Sequence, residues 1–289
     1  MKRIIYFIGI ALFTGLLTLS SCNEDDTCTE TTWYEDADND GLGNPSVTQN
    51  SCDQPEGYVA NADDVDDTGG SSTLHAAFDE FSNDMTITLS NGSVTIESNG
   101  WPNHTSPYWP TTHDLYVAPT VANANAMSPG TIQNFVGTVS LTVSANPQKA
   151  TSSTSTGLGA IGIAVSGSVL YNDEEGPNVP LDNAVNGLDY TGAHTGPQSY
   201  HYHLETKAWS DDDDKLIAIM ADGFFLYGRK DPDGSYPSDL DASGGHFGPT
   251  PHNPDGEYHY HVQNELYLNQ YYILFPGDFQ GTPSQVIIN

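Results

Sequence analysis

The chain has 289 residues, 37% hydrophobic and 10% aromatic, enough for one globular core. Its 38 acidic residues outnumber seven Lys and Arg, for a formal net charge of −31. Such a surface repels nucleic acid and anionic membranes and suits cation binding. The cations beyond residue 3, Lys149, Lys207, Lys215, Arg229 and Lys230, are too few for a phosphate-binding groove.

Residues 1–21 carry Lys2 and Arg3, then an apolar run, then small residues, as a secretory signal does. The run is too short for a membrane span and nothing anchors its far side. Leu19-Ser20-Ser21-Cys22 resembles a bacterial lipobox. That resemblance implies cleavage before Cys22, lipidation of its thiol and membrane attachment through the lipid. The following Asn23-Glu24-Asp25-Asp26 resembles the surface-export signal of Bacteroidetes lipoproteins. The expected location is the cell envelope, on the outer membrane, facing either the periplasm or the outside. An oxidising compartment suits a disulfide between Cys28 and Cys52.

Residues 22–72 form an acidic tether, a small module and a linker, "TGGSS" (68–72). "WYEDADNDGLGNP" (33–45) sets Asp36, Asp38 and Asp40 at alternate positions before Gly41. Hard cations such as Ca²⁺ take six to eight oxygens, and such a loop supplies several. It is no EF-hand, because Val47 stands where the bidentate Glu would be. Residues 28–68 resemble the calcium-binding type-three repeats of thrombospondin. The resemblance implies bound Ca²⁺, with Asp64 and Asp66 helping to complete the shell. Such repeats commonly carry a cysteine where Val65 stands, which leaves Cys28–Cys52 as the simple pairing.

From residue 73 to 289 the texture is β-branched and aromatic, punctuated by Gly, Pro, Asn and Asp. Strand-like runs fall at 85–90, 93–98, 135–144, 161–171, 216–228 and 266–275. The expected fold is mainly β: an antiparallel, sandwich-like domain with long loops. "IGIAVSGSVLY" (161–171) matches "IAIMADGFFLY" (217–227), and "LDYTGAHTGP" (188–197) matches "LDASGGHFGP" (240–249). Each pair then reaches Tyr-His-Tyr-His, so a tandem duplication is expected over about 159–203 and 215–262. "GLGAIG" (157–162) fits a dinucleotide fingerprint, but a β-branched strand follows it instead of a helix.

In a strand, alternate side chains share a face, so His201 and His203 pair, as do His259 and His261, with the tyrosines opposite. Neutral imidazoles suit Zn, Cu, Fe or Ni. His194 and His246, in Gly-rich turns, are further candidate ligands. Asp189 and Asp241 are candidates either to ligate or to fix an imidazole tautomer. The set allows one closed site between the repeats or two open ones. The bland alternative is a hydrogen-bonded His/Tyr network.

The two tetrapeptides, "NGWPNH" (99–104), "ADGFFLYG" (221–228) and "SGGH" (243–246) resemble the YHYH-domain family of bacterial exported proteins. The resemblance implies a domain over most of 75–275 and no particular reaction. The expected role is transition-metal binding, of Cu or Zn, in a cell-envelope lipoprotein. One alternative is a metal-dependent enzyme using Asp189, Asp241 or Asp222 as acid–base groups. Another is a calcium-stabilised adhesion or glycan-binding protein that contacts a protein or glycan through Trp101, Tyr108 and Trp109.

Overall fold

The computed structural model describes residues 30–37, 43–62, 73–120, 124–196 and 198–289. Strands dominate, and the helical turns among these residues are short 3₁₀ segments. No helix among them is long and apolar enough to cross a membrane.

The acidic module is not all loop. β1 (Thr31–Glu35), β2 (Asn44–Ser51) and β3 (Tyr58–Val59) form a small sheet in the order β2-β1-β3. The Trp33 indole donates to the Ser51 carbonyl across it at 3.2 Å.

The larger unit has two sheets. β4 (Thr86–Ser90), β5 (Ser93–Ser98), β6 (Val139–Ser144) and β17 (Ile287–Ile288) form a four-stranded sheet, ordered β17-β6-β5-β4. β5 and β6 bury alternate residues, Val94 and Ile96 with Val139, Leu141 and Val143, as the two-residue period of a one-sided strand requires.

The second sheet has eight strands: β7 (Ala160–Ala164), β8 (Val169–Tyr171), β11 (Ala193–Thr195), β12 (Tyr200–Tyr202), β13 (Leu216–Met220), β14 (Phe225–Tyr227), β15 (Gly245–Gly248) and β16 (Glu257–His261). A separate hairpin joins β9 (Glu174–Gly176) and β10 (Val179–Pro180). One apolar cluster connects both sheets, with Ile96 and Leu141 on one side and Ile163, Tyr202, Ile219 and Tyr260 on the other.

The runs expected at 161–171 and 216–228 each fold into a hairpin instead of one strand. Gly167 and Gly223 take φ of +102° and +92° at the turns, a region closed to most side chains. The run at 266–275 forms only isolated bridges, because Leu268 and Asn269 adopt left-handed backbone.

The strand order, β11-β12-β8-β7-β13-β14-β16-β15, reads alike from both ends. Its centre is the antiparallel β7–β13 pair, where Ile163 faces its sequence counterpart Ile219. Outward on each side come a hairpin, a parallel pair (β8–β12, β14–β16) and an antiparallel edge pair (β12–β11, β16–β15). The matched words therefore occupy matched places about a pseudo-twofold axis. Five strand spacings separate β12 from β16, about 24 Å at roughly 4.8 Å each. The two tetrapeptides thus lie toward opposite edges of the sheet and do not face one another across a single site.

Candidate metal centres

Each tetrapeptide strand splits its side chains as its period requires. Tyr200, Tyr202 and Tyr260 are 0–1% exposed within the apolar cluster. The histidines take the other face and are almost as buried: 3% for His201, and 1% each for His203, His259 and His261. Four imidazoles are thus withdrawn from water, a cost that has to be offset by polar partners.

Half of that offset is clear. Nδ1 of His203 lies 2.6 Å from the Asn172 carbonyl, and Nδ1 of His261 lies 2.7 Å from the Gly228 carbonyl. Nδ1 of His201 approaches the Ser199 carbonyl at 3.2 Å, and Nδ1 of His259 the Glu257 carbonyl at 3.0 Å. A carbonyl can only accept, so each Nδ1 carries the proton. In neutral imidazole the bare lone pair is then at Nε2.

The Nε2 atoms converge. Nε2 of His259 lies 2.8 Å from that of His261 and 3.3 Å from that of His246, which edge strand β15 brings opposite His259. His246 Nδ1 donates to the Asp239 carboxylate at 2.8 Å, which turns its Nε2 toward the other two rings. Asp231 Oδ1 lies 3.4 Å from both His246 Nε2 and His261 Nε2, and it is buried without a hydrogen-bond partner. Three imidazole nitrogens and a carboxylate oxygen meet within 4.8 Å of one another. Such a cluster repels itself unless a cation sits within it.

The residues around the first tetrapeptide build the same figure. His194 on β11 pairs with His201 on β12, and the three ring centroids stand 4.6 to 5.4 Å apart. Nε2 of His194 and of His203 are buried without hydrogen-bond partners. Glu175 Oε1 lies 3.2 Å and 3.5 Å from them. Gly196 leaves room for the His201 ring, since a Cβ there would stand 2.6 Å from its Cε1.

Burial holds His203 and His259 down to about 4 and His261 to about 3, and it pushes His201 well below its ordinary value. These rings are therefore neutral and ready to ligate near pH 7. The sign for metal-free protein follows. The unfolded chain takes up protons below about 6.5, whereas the fold refuses them until about 4. Stability is fully present above pH 6.5 and drains away as the pH falls to about 4. Thermal melts of metal-free protein in this window are expected to show Tm falling by about 10 °C. A flat profile would contradict the neutral, buried state of these rings.

Asp189 and Asp241, expected beside the imidazoles, lie on the tyrosine side. Asp189 accepts from Tyr200 at 2.7 Å and Ser106 at 2.6 Å, and it caps its own turn through the Thr191 amide. Asp241 accepts from Tyr258 at 2.9 Å and Lys149 at 3.0 Å. Both are Asx-turn residues that set the glycine turn carrying His194 or His246. Asp222 holds the Tyr260 hydroxyl at 2.6 Å inside the core. His104 bonds the Tyr202 hydroxyl at 2.6 Å and belongs to neither centre. Tyr108 and Trp109 are 4% and 2% exposed, so they pack the core and do not present a surface.

The carboxylates that do reach the centres, Glu175 and Asp231, escaped the sequence reading. Each stands four residues after the tyrosine ending the matched strand words, Tyr171 and Tyr227. Extending the repeat alignment past that tyrosine pairs them. Of the calcium candidates, Asp36 is 8% exposed at the end of β1. Asp38, Asp40, Asp64, Asp66, Cys22 and Cys28 lie outside the described residues.

Comparison with known families matches residues 140–235 to the one described as YHYH protein. The matched span holds the whole first centre and Asp231 of the second, and it stops short of His246. Neither the curated proteins nor the solved structures contain a match.

Proposed function

We propose that this chain is a cell-envelope lipoprotein that binds two transition-metal ions, one at each end of a duplicated YHYH sheet. The observation that carries the reading is the approach of bare Nε2 atoms to 2.8 Å between His259 and His261. A structural His/Tyr network would place a proton between them, and the backbone acceptors at both Nδ1 atoms remove it. The donors are nitrogen and oxygen, without thiolate or thioether, which favours Zn²⁺ or Cu²⁺ over Cu⁺.

The remaining expectations join this reading as proposals. Cleavage before Cys22 and lipidation there would tether the protein to the outer membrane. Residues 22–72 would carry Ca²⁺ through Asp36, Asp38, Asp40, Asp64 and Asp66. A disulfide between Cys28 and Cys52 would staple this module.

Competition with a chromophoric zinc chelator tests the metal reading. Purified mature protein is expected to withdraw two equivalents of Zn²⁺. Less than one equivalent would refute it. For the anchor, Cys22→Ser is expected to move the protein from the membrane fraction to the soluble fraction. Retention in the membrane would exclude lipidation at that residue.

A further inference from the structure

The two centres share a plan and differ in their fourth donor. In the second centre Asp231 Oδ1 joins His246, His259 and His261, all four atoms lying within 4.8 Å of one another. In the first centre the mutually close set is only His194, His201 and His203. Glu175 contacts only His194 and His203, as Asp231 contacts only His246 and His261, but its side chain is 29% exposed against 19% for Asp231.

The support behind the edge histidine differs as well. Asp239 fixes His246 through Nδ1, whereas the matching position in the first copy is Gly187, which has no side chain to offer His194. A centre held by four protein donors is closed, and one held by three keeps a position open to solvent.

We propose that the second centre is a closed, structural metal site, while the first is an open site that takes a small exogenous ligand beside Glu175. This rests on the metal reading above and gives the repeats different tasks. The ligand class follows from the surroundings: a small protic molecule, water above all, which Glu175 is placed to accept a hydrogen bond from. A small anion can enter the same position against the charge of that carboxylate.

Cobalt reports both coordination and access. Two variants separate the centres: H259A/H261A retains the first, and H201A/H203A retains the second. Each is loaded with Co²⁺ and titrated with azide while its visible absorption is followed. The cobalt spectrum of H259A/H261A is expected to shift on azide addition, and that of H201A/H203A to stay unchanged. Adding E175Q to H259A/H261A is expected to tighten azide several-fold, because the opposing charge is gone.

Wild-type protein carrying two Co²⁺ guards against a variant that fails to fold; about half of its signal is expected to respond. Equal response of both centres, or of neither, overturns the division of roles and leaves the metal reading standing. Failure of wild-type protein to take up cobalt at all overturns both.

Discussion

The double variant H203A/H261A is expected to bind no transition metal and to lose the thermal stabilisation that metal gives the parent. Each substitution removes one of the most buried imidazoles of its centre, 1% exposed, together with an Nε2 proposed to hold the ion. A site reduced from three imidazoles to two is expected to lose at least about 100-fold in affinity, comparable to the upper range seen when even supporting groups are removed. Stabilisation by a ligand follows RT ln(1 + [L]/Kd), about 4 kcal/mol per site at a thousand-fold excess over Kd. The parent should therefore melt well above its metal-free form, and the double variant should melt at one temperature with or without Zn²⁺. Single variants H203A and H261A should each keep one ion, because four strands lie between β12 and β16. Loss of both ions from either single variant would mean one shared site, contrary to the strand order.

The second large effect lies away from the metals. Arg229→Ala is expected to cost about 3–5 kcal/mol, the usual range for stripping one partner from a buried ion pair. Arg229 and Glu205 side chains are 7% and 2% exposed, and Nε donates to Glu205 Oε1 at 2.8 Å. Oε1 also takes the Asp212 amide at 3.1 Å, while Oε2 is buried with no hydrogen-bond partner. Without the guanidinium that carboxyl group is left buried without its cation. The cation also covers the Tyr272 ring at 3.8 Å and donates to Asn264 at 3.0 Å. Chemical denaturation of R229A should show the loss. The pair E205L/R229M should recover most of it, since two apolar groups leave no orphaned charge. A loss under about 1 kcal/mol in R229A would mean that the pair is solvated.

How much of this was legible in the sequence depends on distance along the chain. The four tetrapeptide histidines and their shared face followed from the two-residue period alone. The edge histidines followed from the repeat, because a word found twice in order marks one unit of structure. The carboxylates did not follow. Asp189 and Asp241 sit five residues from a histidine, but their Asx turns point them toward the tyrosines, and spacing cannot say which side of a turn a side chain takes. Glu175 and Asp231 reach the centres from loops that follow the hairpins, and the exchange of Glu for Asp hid the match. The hairpins at 161–171 and 216–228 look like single strands because only Ser166-Gly167-Ser168 and Asp222-Gly223 interrupt the apolar runs. Gly167 and Gly223, with φ of +102° and +92°, make the reversal. The short strand Thr31–Glu35 was masked by its acidic neighbours.

Metal content decides what the two histidine clusters do. The most direct measurement is elemental mass spectrometry of mature protein lacking the lipid cysteine, exported to an oxidising compartment and purified without a histidine tag. Close to two equivalents of zinc or copper per chain are expected, falling to none in H203A/H261A. Calcium alone, with H203A/H261A unchanged in metal content and in folding, would contradict the metal reading.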